Sequence, residues 1–271
     1  MGRRFDTVSF LSDYGHADEF VGVVHSVIRT IAPHAAVVDL VHDLPPFDVR
    51  AGSLALSRVV QYVAPGIVLA IVDPGVGTSR RAVAVEVGED GEGVLIGPDN
   101  GLLAPAVRLC GGVTRAVELA NPDYQLQAPG PTFAGRDVFA PAAAHLANGV
   151  PLTELGDEVD PFGLCPSLIP LPRAEGGAIV AEVLWVDRYG NCQLNVDPEE
   201  VEPLGDVVGV RVADAPRRGA RRVTTFGELS TGQIGLLVDS YGLLAIAADR
   251  TSAAAVLGIG AGTEVRLEPL D

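Results

Sequence analysis

Cysteine is scarce in this chain, with Cys110, Cys165 and Cys192 the only three in 271 residues. The count is odd and no two stand at C-x-x-C spacing, so neither a disulfide framework nor a zinc site is signalled. Small buried thiols in a reducing compartment are expected instead. Basic charge is also short: 19 Lys plus Arg against 35 Asp plus Glu give a net charge of −16. Such a chain does not follow a phosphate backbone without a local basic patch. The one dense cluster, Arg217, Arg218, Arg221 and Arg222, reads as a solvated hairpin, so no nucleic-acid partner is expected. No apolar run reaches the ~18 residues of a membrane span. The segment after Arg3 and Arg4 is broken at Asp13 and has no signal-peptide form. A cytoplasmic protein without a membrane partner is expected.

Several signatures are missing as well. There is no Walker A sequence, no H-E-x-x-H and no G-x-S-x-G. Gly75-Val-Gly77-Thr-Ser-Arg80 begins like a dinucleotide fingerprint, but it lacks the third glycine and a strand-like run follows it. It reads as a tight turn. The histidines (His16, His25, His34, His42 and His145) show no metal-ligand spacing with one another or with a cysteine. His145 reads as a structural helix residue and His16 as an exposed loop residue.

What is present is Val, Ala and Leu in short runs, with 32 Gly and 20 Pro to punctuate them. This suits buried strands in an α/β core. Thr7–Leu11 reads as a strand, and Phe20, Val21, Val24, Val27, Ile28 and Ile31 fall on one helical face. Ala36–Leu40 reads as a strand, Ala51–Tyr62 as a helix, and the continuous apolar run Gly66–Val72 as a central strand. Strand, helix, strand, helix, strand predicts a mostly parallel sheet flanked by helices. A hairpin over Ala82–Val87 and Gly93–Ile96, turning across Gly88–Glu92, and a helix over Val138–Ala147 follow. A Pro- and Gly-rich linker is expected around Pro161–Gly177. Beyond it, short alternating runs at Ala178–Val186, Val207–Val212, Arg222–Phe226, Ile234–Val238, Leu243–Ala247 and Glu264–Leu267 predict a small β-barrel or sandwich. The division is therefore an N-terminal α/β domain over residues 1–165 and a C-terminal β-barrel-like domain over residues 177–271.

In an open parallel sheet, ligands sit beyond the carboxyl ends of the strands. Asp13 and Asp73 both follow such ends. Two readings stand: each caps a turn, or both serve one site. Asp73 and Arg80 are seven apart across a Gly-rich turn that can fold the guanidinium back onto the carboxylate. A structural ion pair and a functional pair fit this spacing equally, and Arg81 is a competing partner. Asp187-Arg-Tyr189-Gly-Asn191 follows a strand of the second domain. It offers an acceptor for an ammonium or hydroxyls, a flat ring for stacking and an amide that suits a purine edge. It is also ordinary turn chemistry.

Taken in order, Leu11-Ser-Asp13-Tyr-Gly15 with Asp18-Glu-Phe-Val-Gly22, His42-Asp-Leu-Pro-Pro-Phe-Asp-Val-Arg-Ala-Gly52, Val72-Asp73-Pro-Gly-Val-Gly77-Thr-Ser-Arg80-Arg81, Gly97-Pro-Asp-Asn-Gly101, Thr132-Phe-Ala-Gly-Arg-Asp137, Asp187-Arg-Tyr-Gly-Asn191 and Ser240-Tyr-Gly242 resemble the S-adenosyl-L-methionine (SAM) hydroxide adenosyltransferases, relatives of the SAM-dependent fluorinase and chlorinase. The resemblance runs through nearly the whole chain. It implies a larger α/β domain, a β-barrel-like domain, and a homotrimer with ligand sites between neighbouring subunits. It implies hydrolysis of SAM to adenosine and L-methionine, with SAM as substrate and no cofactor. An Asp–Arg–His set positions one water in that family. Asp73 and Arg80 match its first two members, and Ala134 stands at the histidine position. Asp13 matches the acid that holds the ribose hydroxyls, and Asp187 the group that takes the methionine ammonium. Tyr189 falls in the same motif. Asn191 and the backbone at Ala248 match adenine contacts, and Ser240 a contact to the methionine end. Asp239 stands where the family pattern has Asn. With Ala134 in the histidine position, weak hydrolysis and intact SAM binding are expected. A SAM-dependent halogenase and a non-catalytic SAM or adenosine binder are the alternatives.

Overall fold

The computed structural model describes residues 3–88, 91–166 and 169–270 and divides into two units, Met1–Leu168 and Ile169–Asp271. The first contains β1 (Thr7–Ser12), α1 (Phe20–Ile31), β2 (Ala36–Val41), α2 (Val49–Val59), β3 (Ile67–Ile71), β4 (Ala82–Val87), β5 (Gly93–Pro98), α3 (Ala104–Leu109), β6 (Val113–Glu118) and α4 (Ala140–Ala147). The strands lie in the order β2-β1-β3-β5-β4-β6. The pairs β1–β2, β1–β3 and β3–β5 are parallel, and the last two pairs are antiparallel.

Every residue of β3 is buried, because helices cover both faces of the sheet. Ile67, Leu69 and Ile71 point into a core with Val24 and Ile28 of α1 and the alanines of α4. Val68 and Ala70 of β3, with Val72 just beyond it, point the other way, into a core with Leu56 of α2 and Ala106 of α3. This two-residue alternation explains the continuous apolar run. Ile28 is 0% exposed, and its truncation to alanine is worth about 2–5 kcal/mol. Gly52 lets α2 lie close on the sheet: a β-carbon there would stand 2.8 Å from Val72 Cγ2.

Two elements of this unit had no sequence signal. α3 is six residues long with a proline in its first turn, too short to show a period. β6 is an edge strand with two exposed residues. The helix expected from Val138 begins earlier, through a π-helical turn over Gly135–Phe139 that leads into α4. Cys165 is exposed and Cys110 half-buried, so only Cys192 is the buried thiol expected of all three. Glu89 and Asp90 of the expected hairpin tip, Ser167 and Leu168 of the expected linker, and Met1 and Gly2 lie outside the described residues.

The second unit contains β7 (Arg173–Glu175), β8 (Ala178–Val186), β9 (Cys192–Leu194), β10 (Val207–Arg211), β11 (Arg218–Arg222), β12 (Ile234–Val238), β13 (Leu244–Ala248), α5 (Ala253–Leu257) and β14 (Glu264–Pro269). Seven strands run β14-β10-β11-β12-β13-β9-β8, and β8 pairs back onto β14. Closure into a barrel gives each of these seven strands a neighbour on both sides. β7 lies within the segment expected to be linker, paired with the start of β8. The strand expected at Arg222–Phe226 is instead β11. None of its arginines is buried and only Ala220 enters the core, so it carries almost no hydrophobic signal. Phe226–Glu228 is a single 3₁₀ turn closed by a capping box between Thr225 and Glu228.

Candidate functional site

β1 runs to β2 on one side and β3 lies on its other side, so the chain reverses direction across the sheet at β1 and β3. α1 and α2 cover opposite faces. This is a topological switch point, where a crevice opens beyond the strand ends. Ser12 is in register with Ile71, and the Asp13 amide donates to the Ile71 carbonyl at 3.3 Å. Asp13 and Asp73 therefore leave the sheet on the same rim.

The turn after Asp73 folds back on itself. The Thr78 hydroxyl donates to the Gly75 carbonyl at 2.7 Å and accepts from the Arg80 amide at 3.3 Å. Arg80 Nη2 then donates to Asp73 Oδ2 at 2.5 Å. Arg81 turns elsewhere, to Asp99 and the Gly163 carbonyl. The Arg80 guanidinium also lies 5.4 Å from the ring centre of Phe139. The Asp73 side chain is only 6% exposed. Burial pushes its carboxyl above the usual value and Asp13 adds to this, against the pull of Arg80 and of the Gly75 amide. Asp73 Oδ1 and Arg80 Nε are buried with no protein partner among the described residues. A buried polar atom left unpaired costs about 1–3 kcal/mol. Two of them side by side mark a place where a polar ligand or water completes the structure.

Asp13 Oδ2 accepts from the Phe47 amide at 2.8 Å. Phe47 has φ of 68° and is 74% exposed. A bulky residue in the left-handed region is strained, and here it holds an aromatic face in solvent beside Asp13. Tyr14 follows, packed edge-on against Phe10 and Phe133 with centroids at 6.5 and 5.7 Å. Burial raises its phenol above the usual value. Asp13, Asp73 and Asp137 act in the same direction, and Arg80 opposes them. Phe133 and Phe139 bring the loop carrying Ala134 to this rim.

A hydrogen-bonded chain anchors the 12–15 turn from beneath. The Tyr14 amide donates to Ser12 Oγ at 3.3 Å, and Ser12 Oγ lies 2.7 Å from His42 Nδ1. His42 Nε2 lies 2.9 Å from Asp39 Oδ1, which also meets His25 Nε2 at 2.8 Å. A carboxylate only accepts, so the proton of His42 sits on Nε2 and Ser12 donates to Nδ1. Burial lowers the His42 imidazole against the pull of Asp39, which keeps the ring neutral. Burial alone would raise Asp39, but the hydrogen bonds from His42 and His25 carry it below its usual value. Ser12 is 0% exposed, so this Ser–His–Asp array is a support and not a nucleophile. The His42 carbonyl also accepts from the Gly15 amide at 2.8 Å.

In the second unit, Asp187 closes a turn. Its Oδ1 accepts from the amides of Tyr189 and Asn191, and its Oδ2 from Asn191 Nδ2 at 2.7 Å. About one of its four acceptor positions is left. Tyr189 and Asn191 line an open groove of about 730 Å³ with Phe226, Leu229, Ala248 and Arg250. Ser240 is exposed at a second turn. Asp239 holds that turn: Oδ1 accepts from the Tyr241 and Leu243 amides, and Oδ2 from Gln193 Nε2. A carboxylate serves there because all three neighbours donate.

The residues singled out from sequence thus fall in two groups. Asp13, Asp73, Arg80 and Ala134 belong to the rim of the first unit. Asp187, Tyr189, Asn191, Ser240 and Ala248 belong to the second. Tyr14, Phe47, Phe133 and the Ser12–His42–Asp39 chain had not been singled out. Only the Asp39-x-x-His42 spacing offered a cue, and it becomes informative once Ser12 is known to lie opposite.

Comparison with known proteins identifies both units. The model of the SAM hydroxide adenosyltransferase N-terminal domain matches residues 8–156, and that of the C-terminal domain matches residues 181–266. An (R)-S-adenosyl-L-methionine hydrolase of Salinispora tropica is 44% identical over 260 residues, covering 96% of this chain and 97% of the relative. A fluorinase of Actinoplanes sp. is 27% identical over 293 residues, covering 95% and 96%. The crystal structure of an uncharacterized conserved protein from Thermotoga maritima superposes with a TM-score of 0.88 at 34% identity, covering 96% of this chain and 99% of that one. Matched along both units and by relatives that span its length, the chain belongs to the SAM hydroxide adenosyltransferase family.

Proposed function

We propose that the protein hydrolyses SAM to adenosine and L-methionine, acting on the epimer that is R at sulfur, as the name of its 44%-identical relative indicates. A sulfonium departs as a neutral thioether, so the reaction calls for neither a general acid nor a cofactor. What it needs is one water held in line with the C–S bond and stripped of its neighbours. The observation that carries the reading is Asp73 Oδ1, a buried carboxylate oxygen with no protein partner among the described residues, on an acid whose other oxygen is held by Arg80. It accepts a proton from water as the oxygen attacks ribose C5′. The C5′–O bond forms, the C5′–S bond breaks with its electrons going to sulfur, and the proton leaves through Asp73.

In this reading Asp13 holds the ribose hydroxyls and Asp187 takes the methionine ammonium with its remaining acceptor position. Tyr189 stacks on adenine, Asn191 and the Ala248 backbone read its edge, and Ser240 contacts the methionine end. Residues 1–165 and 177–271 serve as separate domains of a cytoplasmic homotrimer, with each substrate site shared by neighbouring subunits. Ala134 lacks the imidazole of the family pattern, so turnover is slower than with a complete set. Halogenation is disfavoured because an anionic Asp73 repels a halide at the same point.

The test is incubation with each SAM epimer, reading adenosine and methionine, with and without chloride. Release of adenosine, abolished by Asp73→Asn, supports the reading. 5′-Chloro-5′-deoxyadenosine would make the protein a halogenase, and full recovery of bound SAM would make it a binder.

A further inference from the structure

A water held only by Asp73 Oδ1 is free to swing about that contact. Fixing its lone pair on C5′ takes at least one more polar partner. The side chain at position 134 is a methyl group and supplies none. Asp13 is an acceptor, and one of its oxygens already takes the Phe47 amide. Arg80 Nε, buried and without a protein partner among the described residues, can supply one, and Tyr14 is the further candidate on this rim. Its phenol oxygen lies against the backbone next to Ala134: a β-carbon on Gly135 would stand 2.2 Å from Tyr14 Oη. Among the described residues that oxygen has no hydrogen-bonded protein partner.

We propose that the Tyr14 hydroxyl is a catalytic residue that donates a hydrogen bond to the attacking water, a task that the side chain at position 134 cannot perform. The proposal rests on the hydrolase reading above and names a further group for it. The geometry has three parts. Asp13 and Asp73 leave adjacent strands on one rim, and Tyr14 is the residue after Asp13. The rings of Phe10, Phe20 and Phe133 pack around the Tyr14 ring and fix its direction. The bare backbone at Gly135 gives the hydroxyl the room to reach the loop. The charges around the phenol also suit a donor. Burial, Asp13 and Asp73 all disfavour the phenolate, so the proton stays on oxygen through the neutral range. The water then accepts from Tyr14, gives one proton to Asp73, and presents its second lone pair to C5′. Tyr14 is neither consumed nor deprotonated.

Tyr14→Phe removes the oxygen and keeps the ring packing. The expected result is a kcat lower by ~10²–10⁴ with KM changed only a few-fold, since a water-positioning donor acts on the chemical step. Calorimetric binding of adenosine to the same variant shows whether its site is intact. Ala134→His in the Tyr14→Phe background is expected to restore at least ~10-fold of the lost kcat, by offering a ring nitrogen at the neighbouring position. An unchanged kcat in Tyr14→Phe overturns the proposal, as does a change confined to KM or to adenosine binding. If the unaltered protein releases no adenosine from either SAM epimer, the hydrolase reading falls and this one with it. Activity in the unaltered protein separates the two failures.

Discussion

The phenol of Tyr14 occupies the space that a β-carbon on Gly135 would take, with only 2.2 Å between the two positions. Phe133 Cε2 closes the same space at 3.2 Å. Gly135 is buried within a π-helical turn, and such turns often mark functional sites. Gly135→Ala must push the tyrosine ring or the turn aside. The expected cost is about 1–3 kcal/mol, as in other overpacked cores. Adenosine release should fall with it. Gly22→Ala in α1 is the control: its β-carbon meets nothing within 4 Å, and it should stabilise by about 0.5–1 kcal/mol. Thermal unfolding of both variants checks the pair.

In the proposed mechanism Asp73 sets the acid limb of the rate. Burial holds its carboxyl above the ordinary value of 3.8 despite Arg80. As the proposed base it is active when ionised, so activity is expected to fall as pH drops through the raised value, earlier than for a solvated aspartate. The profile of kcat/KM against pH is the measurement, since it reports the free enzyme. Arg80→Gln removes the guanidinium that stabilises the anion, so that limb should move further up.

His42 links stability to pH in the same direction. Its folded value lies below the ordinary 6.5 because burial disfavours the charged ring. The folded protein then binds fewer protons than the unfolded chain as pH falls below 6.5. Stability is full above that value and declines with acidification. His145 is lowered by burial as well and adds to the slope. His42→Phe should reduce the slope in urea titrations across this window. It also leaves Ser12 without its acceptor and Asp39 without one donor, at a cost of about 1–3 kcal/mol.

The turn at Asp187 separates stability from binding. Asp187→Ala releases three donated hydrogen bonds, and a loss of about 1–2 kcal/mol in unfolding free energy is expected. Tyr189 is 79% exposed, so Tyr189→Ala should leave the melting temperature unchanged. Weaker adenosine binding in that variant, read by calorimetry, is expected if the ring stacks on the base.

The sequence by itself determined the parallel sheet. Strand-length apolar runs separated by one helical face allow little else, and the two-faced burial of β3 follows from local pattern. It also determined that Asp13 and Asp73 end strands, because each follows such a run directly. The Asp73–Arg80 turn was legible as a spacing, but whether Arg80 or Arg81 closed it depended on Asp99 and the Gly163 carbonyl, far away in sequence. The barrel strand at Arg218–Arg222 was misplaced because a strand with one inward alanine shows no hydrophobic period. Cys165 was expected to be buried on composition alone. Only the tertiary structure placed Ser12 opposite His42, gave Phe47 its left-handed backbone and set the Tyr14 hydroxyl over Gly135. These are contacts between residues up to 121 positions apart, and no local pattern encodes them. The family motif exposed a missing side chain at Ala134, and the fold set a neighbouring hydroxyl beside that position.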